Sequence, residues 1–181
     1  MKRLLWVLLC VSACWASLWA EADIVGFWKS ISDKTGLAQC IVAIYPYQGS
    51  YYGRMIGSFN DAGTVMDETL YNPKKRAIAL PDQPYYCGMD FIWALDRRGS
   101  TYDGEILDPE HADVYKASLW VEGGNLKVEG KLMFFGRTQT WVPAKPSDYP
   151  QDFKMPDVSS FVPVAPVPEL TPQLGDMRFK H

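Results

Sequence analysis

Histidine is almost missing from this 181-residue chain: His111 and His181 are the only two, and neither stands at ligand spacing from a cysteine. That argues against a zinc site. Cysteine is scarce too. Of the four, Cys10 and Cys14 fall in an N-terminal leader-like segment, which leaves Cys40 and Cys87 for the body of the chain. Two readings of that pair stand open: a disulfide made in an oxidising compartment, or two buried thiols acting as small hydrophobes. The apolar run Leu4 to Val11 is too short to span a bilayer, and no later stretch approaches the roughly 20 residues a spanning helix needs. The chain also lacks a Gly-x-Ser-x-Gly elbow, a phosphate loop and a dinucleotide fingerprint. A formal charge of −3 gives no basic excess for nucleic acid or an anionic membrane surface. No cofactor and no metal are expected.

What is present begins with a leader. Lys2 and Arg3 precede the apolar run Leu4 to Val11, and Ala20-Glu21-Ala22 offers small residues at a cleavage-like spacing, so residues 1–22 read as a secretory signal peptide and the mature protein as periplasmic or secreted. The rival reading is Val11-Ser12-Ala13-Cys14 as a lipobox, with the protein anchored at Cys14. The apolar continuation through Trp15, Leu18 and Trp19 suits a longer signal core better. Removing this segment takes away Lys2, Arg3 and Glu21 and makes the net charge one unit more negative.

Residues 23–142 are enough for one core, and their grammar is that of strands. Tyr115, Ala117, Leu119 and Val121 alternate before Gly123-Gly124, and Leu126, Val128 and Leu132 follow it with Lys127, Glu129 and Lys131 between them. That is a hairpin with one wet face. The same reasoning gives eight strands, at 25–32, 38–45, 51–59, 91–96, 101–107, 114–121, 126–134 and 137–142. The predicted class is all-β. Short turns imply antiparallel neighbours, and a meander of eight closes most naturally into an up-and-down barrel without exposed edges.

One connection is long, from residue 60 to residue 88, with a short helical turn expected at 72–78. Such loops serve as lids or binding loops, or simply plug a barrel mouth. Residues 143–181 are crowded with proline and read as an extended tail that buries little area. Within it Val162 to Pro168 has the composition of a segment that docks on an aromatic groove of an envelope partner, or of a plain spacer.

The acidic group Asp103, Glu105, Asp108, Glu110, His111 and Asp113 is the stretch that invites a catalytic or metal reading, because Asp103 and Glu105 share a strand face. Against it, Asp108 to Asp113 has the composition of a solvated turn and lacks the ligand pattern of a calcium loop. No catalytic residue is assigned.

The runs Gly26-Phe27-Trp28, Tyr52-Gly53-Arg54-Met55-Ile56, Gly104-Glu105-Ile106-Leu107-Asp108-Pro109 and Gly136-Arg137-Thr138-Gln139-Thr140-Trp141 resemble the DUF2147 family of exported bacterial proteins, across nearly all of 23–142. The resemblance implies a lipocalin-like barrel and little about mechanism. It also suggests that Arg137, on the last strand, stacks over the indole of Trp28 as a cation–π contact.

The expected function is then non-catalytic binding of a small apolar ligand inside an exported barrel, with Tyr52, Tyr85, Tyr86 and Trp93 as contacts because they flank or end the long connection. The alternative is an envelope structural or interaction module whose barrel is filled with its own side chains.

Overall fold

The computed structural model of the protein describes residues 23–132 and 135–164. The expected leader, the rival lipobox reading at 11–14, His181 and the end of the proline segment lie outside the described residues. Nine strands form: β1 (Gly26–Ile31), β2 (Ala38–Tyr47), β3 (Ser50–Phe59), β4 (Met66–Thr69), β5 (Asp90–Arg98), β6 (Thr101–Asp108), β7 (Asp113–Glu122), β8 (Asn125–Leu132) and β9 (Phe135–Pro143). The order β2-β1-β9-β8-β7-β6-β5-β3-β4, with β2 also paired to β3, closes eight antiparallel strands into a barrel and leaves β4 appended outside the ring. No helix among the described residues is long and apolar enough to cross a membrane.

Turn chemistry sets the register. Gln48 and Gly49 both take positive φ between β2 and β3, as Gly123 and Gly124 do between β7 and β8, which is the two-residue turn whose twist matches flanking strands. The second hairpin pairs Val121 with Leu126 and Leu119 with Val128, the alternation seen in the sequence.

The ninth strand, β4, lies inside the long connection, where a helical turn was expected at 72–78. Residues 72–85 form isolated bridges instead, Thr69 with Asn72 and Arg76 with Tyr85. β3 is long enough to serve two neighbours in succession. Tyr51, Gly53 and Arg54 pair with β5, while Gly57, Ser58 and Phe59 pair with β4. Gly57 leaves room there for the Met66 side chain, whose sulfur would lie 2.4 Å from an added Cβ and would have to shift to admit one.

Two clusters hold the fold. The barrel interior gathers Trp28, Ile44, Leu95, Tyr102, Leu119 and Trp141, joined by Ala77, Leu80 and Cys87 from the long connection. Burial of such side chains contributes about 1.5–3 kcal/mol each. The second cluster lies on the outer wall, where Ile41, Ala43 and Ile56 are fully buried beside Phe59 and Met66. Tyr149, Phe153, Val158 and Phe161 cover it.

The segment after β9 therefore departs from the expectation of a tail that buries little. Its first part, 144–164, straps the barrel from outside because β2 and β3 are apolar on both faces and need a cover. The strap starts with Ala144 N–H bonded to the Phe27 carbonyl at 2.9 Å and with a Lys29–Asp148 ion pair at 2.6 Å. Two short 3-10 turns, Pro146–Asp148 and Val158–Ser160, bend it across the wall.

Candidate functional site

Two buried carboxylates organise the outer wall, and each is committed to structure. Asp90, at the start of β5, has no exposure at all. It accepts the Tyr45 hydroxyl at 2.8 Å, the Arg54 guanidinium at 2.7 and 3.2 Å, and the Val164 amide at 2.6 Å. Arg54 also donates to the Val162 carbonyl at 2.6 Å and lies 4.3 Å from the Phe161 ring centre. Burial, reinforced by the Asp90 charge, pushes the Tyr45 phenol far up, so it remains a donor.

Glu68, on β4, is the second. Burial by itself would raise its pKa, but the Lys75 and Lys74 amides and the Ser58 hydroxyl, at 3.0, 2.9 and 2.8 Å, bring the net shift below the ordinary glutamate value. This carboxylate pins the start of the long connection to β3.

Beside Glu68 the long connection and the strap face one another across a cleft of about 520 Å³. Met66, Asp67, Thr69, Tyr71 and Asn72 line one side; Pro150, Asp152, Phe153 and Lys154 line the other. Tyr71 is 57% exposed, and its ring sits 5.7 Å from that of Phe153 at a 49° tilt. Phe153 is held from behind by stacking on Tyr149 at 5.1 Å. Among the described residues, the Asp67 Oδ1 and the Tyr149 hydroxyl are buried polar atoms without a hydrogen-bond partner. A second hollow, of about 420 Å³, lies on β6–β8 among Arg98, Asp103, Lys116 and Lys131. Its charges are matched by neighbours, as in Lys116–Glu105 at 2.6 Å and Lys131–Glu129 at 2.8 Å.

The residues expected at a ligand site are not brought together. Tyr52 pairs with Tyr45 and packs its ring 6.0 Å from it, on the outer wall. Tyr85 is exposed, with the Arg76 guanidinium 4.0 Å over its ring. Tyr86 and Trp93 are half-buried against the interior cluster, and the Trp93 indole donates to the Asp90 carbonyl at 2.7 Å. Trp28 and Arg137 are also separated. Trp28 is opposite Pro143, near the other end of β9, and its indole donates to the Ile24 carbonyl at 2.7 Å. The Arg137 guanidinium grips Asp33 in the β1–β2 turn. The expected stack is thus replaced by an ion pair and a backbone hydrogen bond.

Cys40 and Cys87 are free thiols in the interior cluster rather than a disulfide, and burial pushes the Cys40 thiol up to about 12. The acidic group is paired off strand by strand: Asp103 accepts from Ser118 at 2.6 Å, Glu105 holds Lys116, and Asp108 holds His111 at 2.9 Å on an exposed turn. The Asp108 hydrogen bond and charge hold the His111 pKa above its ordinary value. Among the described residues no three His, Cys, Asp or Glu side chains converge as a metal site would require.

Sequence reasoning missed the Tyr45–Arg54–Asp90 set and the cleft. Asp90 had one signal, a lone acid opening an apolar strand run. Tyr71 and Phe153 had none, since they are far apart in sequence and lie on irregular backbone.

No curated protein matches the chain. Among solved structures it is similar to protein HP1028 from the human pathogen Helicobacter pylori, described as belonging to the lipocalin family, at 15% identity and a TM-score of 0.53, over 69% of this chain and 85% of that one. At this identity the likeness is one of fold: a lipocalin-like barrel. The model of a family described as an uncharacterised protein conserved in bacteria, DUF2147, matches residues 26–142, from the first strand to the last, and the chain belongs to that family.

Proposed function

We propose that this is an exported, non-catalytic binding protein of the cell envelope in which the barrel is a filled scaffold and the ligand is taken on the outside, between the long connection and the strap. The observation that carries the reading is the interior itself. Trp28, Tyr102, Trp141 and Leu119 belong there to one buried cluster with residues of the long connection, which supports an interior occupied by the chain's own side chains. Export is supported by the leader pattern of residues 1–22. Binding rather than turnover is supported by the buried carboxylates Glu68 and Asp90, whose oxygens already accept structural donors.

The kinship to lipocalins favours a second reading, an apolar ligand inside the barrel. Two measurements separate them. Palmitate titrated against tryptophan fluorescence should give no saturable change, and the protein should sediment with isolated cell envelopes. A saturable palmitate response, or a fatty acid retained in native mass spectrometry, would replace the surface reading with the carrier reading.

A further inference from the structure

We infer that the cleft between β4 and the strap is a saccharide subsite, with the exposed ring of Tyr71 as its stacking platform, backed by Phe153, and with Asp67, Asn72, Asp152 and Lys154 as the polar partners of ring hydroxyls. The inference rests on the surface-binding reading above and names its ligand class.

The cleft, at about 520 Å³, lies within the range of roughly 300–1,000 Å³ typical of small-molecule sites. Its chemistry is selective. The Tyr71 ring is 57% exposed at the surface, and it rests at a 49° tilt on Phe153, which is itself braced by Tyr149 rather than free to collapse. Such a face suits a ring that is apolar on its C–H side and polar at its edge. The polar groups around it are uncommitted: among the described residues the side chains of Asn72, Asp152 and Lys154 have no hydrogen bond or ion pair. The two buried polar atoms without partners, Asp67 Oδ1 and the Tyr149 hydroxyl, belong to a lining residue and to the ring behind Phe153. A buried acceptor without a donor is uncommon enough to call for one.

The mix of signs decides the ligand class. An organic cation would suit the rings and the carboxylates, but Lys154 in the same cleft opposes it. A fatty acid would leave Asp67 and Asp152 facing hydrocarbon. A hydroxyl both donates and accepts, so vicinal hydroxyls can satisfy carboxylates, amide and ammonium together.

The test is titration of the full chain with cellobiose, maltose and a linear N-acetylglucosamine tetramer, followed by NMR of the backbone amides, with choline and putrescine as the cationic arm. At least one saccharide should shift the amides of 66–72 and 150–154 saturably. Tyr71→Ala and Asp152→Asn should each weaken it ten-fold or more, and Tyr71→Phe should retain most of the binding. Both positions are exposed, so melting temperature should hold, and either variant suffices if the other fails to fold. No saturable saccharide shift, or saturation by a cation instead, overturns the inference. Co-sedimentation with envelopes keeps the two claims apart: a protein that sediments but binds no saccharide loses only the saccharide assignment, and one that does neither loses both.

Discussion

The carboxylate of Asp90 accepts the amide of Val164 at 2.6 Å across 74 residues of sequence, and the Asp90 amide in turn donates to the Val164 carbonyl at 3.3 Å. This two-way bond makes the end of the strap a short extension of the barrel wall.

Truncation after Pro143 should accordingly destabilise the barrel. It uncovers Ile41, Ala43 and Ile56 and removes the partners of Arg54 and Asp90. With Tyr149, Phe153 and Phe161 all lost, a decrease of about 3 kcal/mol or more is expected, near 10 °C in melting temperature. Phe161→Ala alone should cost about 2 kcal/mol. An unchanged melting curve would show that the strap adds no stability.

Arg54 and Asp90 should be strongly coupled. Arg54→Met leaves a wholly buried carboxylate short of its cation, at a cost of about 3 kcal/mol by urea unfolding. In the Arg54→Met/Asp90→Asn pair much of that cost should disappear, because the uncompensated charge is gone. Strict additivity in the cycle would contradict a coupled pair.

The architecture was legible where periodicity and turn chemistry agree. Gly123-Gly124 between alternating runs predicts the β7–β8 register pair by pair, and the closed eight-strand ring follows from the short turns. Side-chain facing failed where bulges intervene. The register slips between Ile41 and Val42, between Tyr51 and Gly53, and between Trp93 and Asp96, and each slip can exchange inside for outside. Tyr52 ends on the outer wall beside Tyr45 for a simpler reason, since Tyr51 and Met55 take the inward positions of a strand that is apolar on both faces, and the four aromatics expected to converge do not. The strap was illegible for another reason. Tyr149, Phe153, Val158 and Phe161 follow no strand or helix period, because an irregular segment crossing a sheet meets it at uneven intervals.

Glu68 should make the long connection acid-sensitive. Its folded pKa lies below the ordinary value of 4.5, so its contribution is present above the unfolded-state pKa and is lost as pH falls through the folded one. Glu68→Gln should cost about 1–2 kcal/mol near neutral pH and flatten the acid limb of the stability curve below the ordinary glutamate value of 4.5. Amide hydrogen exchange at Lys74 and Lys75 reports the same loss locally; wild type and variant following one acid limb would argue against it.

Gly104 should tolerate nothing larger. A Cβ there would lie 2.5 Å from the Trp93 carbonyl oxygen and 2.8 Å from that of Ala94, at a bulge where Ala94 takes φ of +45°. The obstacle is backbone, which cannot rotate aside. Gly104→Ala should cost about 2 kcal/mol or more in a thermal melt, whereas Gly130→Ala, whose nearest neighbour is a methyl at 3.8 Å, should change little. Equal effects at the two positions would refute the backbone clash.

The closing seam of the barrel has a consequence in time. β1 meets β9 through only Trp28 opposite Pro143 and Lys29 opposite Val142, and the neighbouring Lys29–Asp148 pair comes from still later in the chain. A chain made from its N-terminus therefore carries one edge of β1 unpaired until the whole barrel sequence has emerged. Loop closure over that separation is slow, and an open strand edge is where nascent copies pair with one another. The ring that removes edges from the finished protein leaves one exposed for most of its assembly, and the interval before β9 arrives is when this chain is most vulnerable to aggregation.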